Sequence, residues 1–343
     1  MSLRGMEVEH TNAGRAQGSV KYTTSAITLT NRWDHFLARW GVKRNQHLVE
    51  PGLYALGNPG ADSPVFVTAN YTLSFDALRS ALAGIDGHIM VLDTEGINVW
   101  CAAGKGTFGT DELVRRIEIT GLHDVVRHRL LILPQLGATG VAAHEVRKRS
   151  GFKVEYGPVR ATDLPEYLKS HRATPEMRRA RFTVLDRLVL IPVEVVHVLL
   201  PMAIAAVLLF FFAGLLAASA AVAAIVAGVV LFPILLPWLP TPDFSVKGFI
   251  LGAFVALPFS LRILLGSTDG VWWSRAVWAL IFMLAMPPVT GYLALDFTGS
   301  TPFTSKSGVK REMLAYIPVM AIAFGAGIVL AIVVSLVHGM GGV

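Results

Sequence analysis

Between Val198 and Pro242 the chain carries no Asp, Glu, Lys or Arg. Such a run is too long for one membrane crossing of about 20 residues and long enough for two. A mean hydropathy of +0.54, with 53% hydrophobic and only 16% charged residues, agrees with membrane segments. Spans are expected at about 193–214, 217–238, 247–265, 273–295 and 313–337, an all-α transmembrane bundle of five helices filling residues 193–343. Five crossings put the two ends of the bundle on opposite sides. With the N-terminal part in the cytoplasm, Lys247, Lys306, Lys310 and Arg311 fall in cytoplasmic loops. Arg262 and Arg275 then fall on the far side, and Arg262 can snorkel from its helix end.

The net charge of +6 fits the same picture. Arg172, Arg178, Arg179, Arg181 and Arg187 crowd before the first apolar run, so residues 173–192 read as a basic linker facing anionic lipid. No nucleic-acid-binding motif accompanies the charge, and no nucleic-acid partner is expected. The first twenty residues are polar and lack the apolar core of a secretory signal. The expectation is a multi-pass protein of the cytoplasmic membrane with its soluble part in the cytoplasm.

Residues 1–45 read as a loose lead-in, with a short amphipathic helix where Trp33, Phe36, Leu37 and Trp40 recur at helical spacing. From 46 to 172 strand and helix patterns alternate. Strands are expected at Pro64–Asn70, His88–Thr94, Arg127–Pro134 and Phe152–Gly157. The segment Ile97–Ala103 reads as extended, or as a strand passing into a helix. Helices are expected from Ser74, from Thr110 and across Thr139–Gly151, with Ser74 and Thr110 as N-caps. This order argues for an α/β domain, Rossmann-like, with a mostly parallel sheet. Ligands of such sheets sit at the carboxyl ends of strands. Three loops lie there: Thr68–Tyr71, Asn98–Gly109 and Pro134–Gly140.

The single cysteine, Cys101, excludes an internal disulfide and a cysteine-rich cluster within this chain. A lone cysteine beside a tryptophan is more often core than ligand. Its surroundings shift that balance. Asn98 is a good N-cap for a turn beginning at Val99. A thiol three residues into that turn faces the positive helix end, which favours the thiolate. Ala102, Ala103, Gly104 and Gly106 remove bulk beside it, so a flat macrocycle could approach the backbone.

The residues Asn98-Val-Trp-Cys-Ala-Ala-Gly-Lys105 resemble the signature of the mercury-methylating corrinoid protein family. In that family the segment forms a cap helix under a corrinoid, and its cysteine ligates cobalt. The resemblance covers nearly the whole chain and implies a corrinoid domain followed by five membrane helices. The loop Val67–Tyr71 also resembles that family, and the large subunit of the corrinoid iron–sulfur protein, where a threonine lies below the cobalt. Thr68 is the matching position, with Asn70 beside it. Leu133–Gly140 resembles the corrinoid-edge loop of the same group and contributes Gln135, Leu136, Gly137, Ala138 and Thr139. The stretch Asp296–Lys310 is family-like too, and reads as an ordered cytoplasmic loop.

The resemblance therefore implies a base-off, cobalamin-type corrinoid bound by Thr68, Asn70, Asn98, Val99, Trp100, Cys101, Ala102, Ala103, Gly104, Lys105 and the edge loop, with Cys101 as the lower axial cobalt ligand. The expected activity is methyl transfer from methyl-Co(III) to Hg(II), giving methylmercury. A soft thiolate trans to the methyl group suits transfer to a soft acceptor. It also opposes reduction to Co(I), so Cys101 is expected to leave the metal during reduction. The family further implies a separate ferredoxin-like partner with two 4Fe-4S clusters, as reductant and Hg(II) donor. A methyl donor protein or methyl-tetrahydrofolate would supply the methyl group. The alternative is a membrane-bound corrinoid methyl carrier in a reductive acetyl-CoA-type one-carbon pathway. A transporter or sensor with a soluble ligand domain is a third class.

Other signals are weaker. Gly104-Lys-Gly-Thr-Phe-Gly109 matches G-x-G-x-x-G, but the acid expected at the end of the next strand is missing. No Asp-x-His-x-x-Gly marks a histidine-ligated cobalamin module. Glu194 and His197 share a helical face near a membrane end and read equally as an interfacial pair. Met202, Met283, Met286 and Met320 lie in spans, where methionine is usually packing.

Overall fold

The computed structural model describes residues 20–43, 46–266, 272–301 and 305–340. Residues 1–19 and 44–45 of the expected lead-in lie outside them. Contacts divide the chain into two compact units. One comprises Met1–Ala38 with Lys43–Ala180, and the other Arg39–Val42 with Arg181–Val343.

The first unit is a mixed α/β domain. Its elements run β1 (Lys21–Thr23), α1 (Leu29–Arg39), β2 (Gly52–Leu56), β3 (Val65–Ala69), α2 (Thr72–Ala81), β4 (Gly87–Leu92), α3 (Val99–Lys105), α4 (Thr110–Ile119), α5 (Leu122–Val125), β5 (Leu130–Leu133), α6 (Ala143–Ser150), β6 (Lys153–Tyr156), α7 (Leu164–Ser170) and α8 (Pro175–Arg178). The strands form one six-stranded sheet in the order β1-β2-β4-β3-β5-β6. Every neighbouring pair is parallel except β2 with β4. Strands β1 and β2 extend the sheet beyond the four strands expected.

The central strands are mostly apolar because both faces are covered. Their alternate residues enter two separate cores. Val65, Val67, Met90, Leu92, Leu131 and Leu133 pack with Ala102, Ala103, Leu113 and Val146 of α3, α4 and α6. Phe66, Ile89, Val91 and Ile132 pack with Phe75 and Leu78 of α2 and with Leu164 and Tyr167 of α7. Full burial of each Val, Leu, Ile, Phe or Met side chain among these contributes roughly 1.5–3 kcal/mol. Met177 of α8 joins the second core, so part of the expected basic linker is folded into the α/β unit.

Several local expectations are corrected. Helix α2 starts at Thr72 behind Tyr71, so Ser74 lies inside it and is not its cap. Helix α4 is preceded by Gly109; the Thr110 hydroxyl instead accepts the Ala142 amide at 2.8 Å. That bond ties α4 to the start of α6. The segment from Val99 is helix and not strand. The G-x-G-x-x-G match therefore joins two helices, with Gly106 as a left-handed helix end (φ 94°), and lacks the strand-to-helix setting of a dinucleotide fingerprint.

The second unit is helical: α9 (Val184–Leu188), α10 (Ile191–Val226), a π-helical turn (Ala227–Leu231), α11 (Phe232–Leu235), α12 (Phe244–Leu265), α13 (Trp272–Asp296) and α14 (Lys306–Met340). Among the described residues, four helical runs are long and apolar enough to cross a membrane: Val184–Leu235, Phe244–Leu265, Trp272–Gly299 and Ser307–Val337. The count is four and not five because the first two expected spans share one 52-residue run. A straight helix of that length would measure about 78 Å, against a hydrocarbon core of about 30 Å. The run is not straight. Gly214, at φ 82° and ψ 178°, breaks the helical path.

Close packing joins α12 to α13. A Cβ on Gly248 would stand 2.5 Å from Ala294 Cβ and 2.7 Å from Gly291 Cα; one on Gly252 would meet Pro287 Cα at 2.6 Å. Glu312 of α14 is buried and accepts the Phe244 amide (3.3 Å), the Ser245 amide (3.1 Å) and the Ser245 hydroxyl (3.1 Å) at the start of α12. Those donors offset the cost of burying a carboxylate. The expected loop from Asp296 is largely not a loop. Asp296 ends α13, Phe297–Ser300 is a 3-10 turn with Phe297 and Thr298 buried, and Lys306 opens α14. Residues 302–304 of that stretch lie outside the described residues.

Candidate functional site at the strand-order switch

The chain leaves β3 through α2 on one face and arrives at β4 on one side of β3. It then crosses the other face through α3 and α4 to β5, on the opposite side of β3. The strand order therefore reverses between β3 and β5. Open α/β sheets bind ligands in the crevice outside the carboxyl ends at such a switch. Helix α3 and the 3-10 turn Gln135–Gly137, which follows β5, pack together at this end, and α3 also packs on β3.

Helix α3 is built from its cap outward. Asn98 has extended backbone, and its Oδ1 accepts the Cys101 amide at 2.9 Å. At its other end the Gly106 amide returns to the Ala102 carbonyl at 2.8 Å. Ala102 and Ala103 are buried in the core shared with β3 and β4. At 100° per residue Cys101 lies opposite that face, with Gly104 and Lys105 flanking it. Cys101 is partly exposed, and Gly104 and Lys105 are exposed. A Cβ on Gly104 would meet nothing within 4 Å. The sulfur-bearing face of α3 is thus open beside its glycine.

The expected edge loop is brought to α3. A Cβ on Gly140 would collide with the Phe108 carbonyl oxygen and stand 2.9 Å from Ala103 Cα; one on Gly137 would come 2.6 Å from the Phe108 ring. The two glycines are where the loop seats against the α3–α4 connection. Gln135 Oε1 accepts from Arg178 Nη1 at 2.9 Å. Leu136 and Ala138 are half-buried, and Thr139 is exposed.

Thr68 and Asn70 are not on the open face. Thr68 is 3% exposed and alternates with Val67 and Ala69, so it shares the sheet face of Phe66, opposite the α3 face. Asn70 is 3% exposed, and its Oδ1 accepts from the Thr94 amide (3.0 Å), the Thr94 hydroxyl (2.8 Å) and the Gly96 amide (3.0 Å). It holds the turn that leads into α3. Glu112 Oε1 adds a bond from the Asp93 amide at 3.0 Å and is itself held by Arg116. Sequence reasoning missed Glu112 and Arg178. Their partners lie 19 and 43 positions away, and only the acid-to-arginine spacing of Glu112 and Arg116 gave a local hint.

A second group lies at β6. The Tyr167 hydroxyl donates to Glu155, and His171 Nδ1 is 3.1 Å from the same carboxylate oxygen. Burial, then the Glu155 bond, raises the Tyr167 pKa, so this phenol stays protonated. Among the described residues no group of three or more His, Cys, Asp or Glu is placed to hold a metal ion. One reachable sulfur on an open helix face suits a metal delivered inside a flat macrocycle, which supplies its other ligands.

Residues 43–168, in the α/β unit, match the family described as CO dehydrogenase/acetyl-CoA synthase delta subunit. Over 128 residues the chain is 36% identical to acetyl-CoA decarbonylase/synthase complex subunit gamma of Methanopyrus kandleri, covering 37% of this chain and 27% of that protein. The counterpart in Methanothermobacter thermautotrophicus is 28% identical over 178 residues, 46% of this chain and 38% of the relative. The corrinoid/iron-sulfur protein large subunit of Moorella thermoacetica is 23% identical over 163 residues, 45% of this chain and 36% of the relative. The chain thus spans about a quarter to two fifths of the length of these relatives. The likeness is to a corrinoid-related group of acetyl-CoA decarbonylase/synthase subunits. Mercury methylation is not among the activities their names carry.

Proposed function

We propose that this chain is a corrinoid-dependent methyl-transfer protein held in a membrane by its helical unit, with Cys101 as the axial ligand below the cobalt. One observation supports this above the rest: Cys101 stands on the outward face of a capped helix over the strand-order switch. Val99, Trp100, Gly104 and Lys105 of α3 and Gln135–Thr139 would hold the macrocycle. Thr68, Asn70, Asn98, Ala102 and Ala103 support that surface from behind. Bound there, a corrinoid supplies a cobalt that accepts a methyl group and gives it up. The protein would set the backbone that carries Cys101 through the Asn98 cap and present the sulfur on an open helix face.

The relatives favour a methyl carrier of a reductive acetyl-CoA-type one-carbon pathway as the role. A second reading keeps the site and makes Hg(II) the acceptor. The segment Asn98–Lys105 favours it, because a thiolate is a soft, strongly donating ligand and suits delivery to a soft metal ion. Either role needs a reductant. The proposed partner is a ferredoxin-like protein with two 4Fe-4S clusters, with methyl-tetrahydrofolate or a methyl donor protein upstream. The proposed topology has five crossings of the cytoplasmic membrane, the break at Gly214 dividing the long first run.

The test is cobalt analysis and visible spectroscopy of the full chain purified from cells supplied with cobalamin. Equimolar cobalt and a sulfur-ligated spectrum lost in Cys101→Ala are expected. Cobalt-free protein, or identical spectra for the two proteins, would overturn the proposal. Methylmercury formation that depends on Cys101 then selects the Hg(II) reading. Methyl transfer only to a one-carbon acceptor selects the carrier.

A further inference from the structure

Helix α1 has an apolar stripe on the side away from its own domain. Leu29, Trp33 and Phe36 fall within a 60° arc at 100° per residue and are 84%, 61% and 46% exposed; Trp40, 38% exposed, follows directly after the helix end. Trp33 and Phe36 stack at 5.3 Å. Ala38, on the opposite side of the helix, is buried. Among the described residues elsewhere in the α/β unit, large exposed apolar side chains are sparse: Tyr22, Leu48 and Ile119. The aromatic stripe is thus a concentrated feature of one helix.

Its outward direction is fixed by the inner side. His35 Nε2 lies 2.7 Å from Asp76 Oδ2, and Asp34 Oδ1 lies 2.8 Å from His47 Nδ1. Buried Arg79 bonds Asp76 and the carbonyls of Thr24 and Ala26, each at 2.6 Å, which pins the strand-to-helix lead. Asp34, the acid of α1, is therefore engaged on the inner side. The charges flanking the stripe are the exposed cations Arg32 and Arg39, with Lys43 just beyond. From α1 the chain continues into Arg39–Val42, which group with the apolar helical unit.

We infer that α1 is an interfacial helix, lying in the headgroup layer of an anionic bilayer with Leu29, Trp33, Phe36 and Trp40 directed into the lipid and Arg32 and Arg39 at the phosphates. Aromatic residues and snorkelling arginines are the side chains that suit this depth. A covering protein would be expected to meet the flanking cations with acids or a polar rim, whereas lipid phosphate meets them directly. The inference rests on the reading of the helical unit as membrane-spanning. Its consequence is a second attachment of the chain to lipid, made by α1 and separate from the helical unit.

The test uses the full chain in vesicles of phosphatidylcholine, alone or with phosphatidylglycerol. In a Cys101→Ser background, Trp33→Cys and, as a reference, Ile322→Cys each carry an environment-sensitive fluorophore. Ile322 is 73% exposed and lies within α14. The label at 33 should be quenched more by a nitroxide near the headgroup than by one deep in the tails, and should be shielded from aqueous iodide. Shielding should strengthen several-fold with phosphatidylglycerol and weaken in Arg32→Gln/Arg39→Gln. The label at 322 should respond to the deep nitroxide. A label at 33 that iodide reaches freely in vesicles would overturn the inference. So would one already shielded in detergent and blind to lipid nitroxide, the sign of a protein cover. If 322 also fails to sense lipid, the membrane reading itself falls; if 322 responds and 33 does not, only the interfacial helix falls.

Discussion

Asn98 holds Cys101: its side-chain oxygen accepts the cysteine amide at 2.9 Å and so fixes the first turn of α3. The bond leaves the sulfur unconstrained while setting the backbone that carries it. Replacing a capping Asn by Ala costs about 1 kcal/mol, whereas Asp preserves the acceptor. Asn98→Ala should therefore speed hydrogen exchange across Val99–Lys105 about fivefold and weaken cobalt retention, with Asn98→Asp close to the parent. Exchange measured by mass spectrometry checks both.

Asn70 serves the same helix one step upstream. Removing its oxygen leaves the buried Thr94 amide without that acceptor, at roughly 1–3 kcal/mol, and releases the half-buried Gly96 amide as well. Asn70→Ala should lower the denaturation midpoint of the α/β domain even in corrinoid-free protein. An Asn70→Ala protein as stable as the parent when cobalt-free, yet unable to retain cobalt, would instead mark Asn70 as a direct contact.

Gly140 admits no side chain because the Phe108 carbonyl and Ala103 Cα fill its Cβ position. Gly140→Ala should destabilise by about 1–3 kcal/mol through overpacking. Gly104→Ala, where the space is open, should leave stability within about 0.5 kcal/mol while crowding the proposed macrocycle face. Melting curves and cobalt content of the two variants separate packing from binding.

His88 gives the α/β domain a weakness to acid. Burial lowers its pKa below 6.5, and its Nδ1 is buried without a hydrogen-bond partner. A lowered pKa means that the folded state favours the neutral ring. Its contribution is complete above pH 6.5 and is lost as pH falls through the lower folded value. His88→Gln, which can still donate toward Gly60, should flatten the stability profile below pH 6.5. Tyr54 acts in the opposite direction. Burial and then the Glu50 charge raise its pKa to about 12, so its contribution is present below pH 10 and fades as pH rises toward 12. Chemical denaturation at stepped pH checks both signs.

Gly248 sets the approach of α12 to α13. Gly248→Leu must displace Ala294 and the Gly291 backbone, so α12 and α13 should separate. Lower thermal stability in detergent is expected, together with loss of a disulfide cross-link engineered between the two helices. An unchanged cross-link would show that the helices tolerate the bulk.

Much of this was legible along the chain. The central strands were readable because burial on both faces leaves mostly apolar runs, and α3 because Asn98 caps locally. The antiparallel strand β2 was not legible, since its partner β4 lies more than 30 positions on and no local pattern names it. Ser74 and Thr110 were misread as caps because hydroxyl residues near a helix start also serve tertiary bonds, as Thr110 does with Ala142. Hydropathy divides into two spans what the structure holds as one run, Val184–Leu235, with a backbone break at Gly214 that hydropathy does not register.

The sequence alone determined that the chain has an α/β half and an apolar helical half, and that its single thiol sits in a capped, small-residue segment. Composition and nearest neighbours decide those features, because they act within a few residues. Only the tertiary structure decided which side of α3 carries the sulfur and what stands behind it. The core took Ala102 and Ala103, so Cys101 was left on the opposite side, and the strand-order switch brought the Gln135–Gly137 turn against α3. Thr68, equally plausible in one dimension, was turned to the other face of the sheet by the strict alternation of a strand.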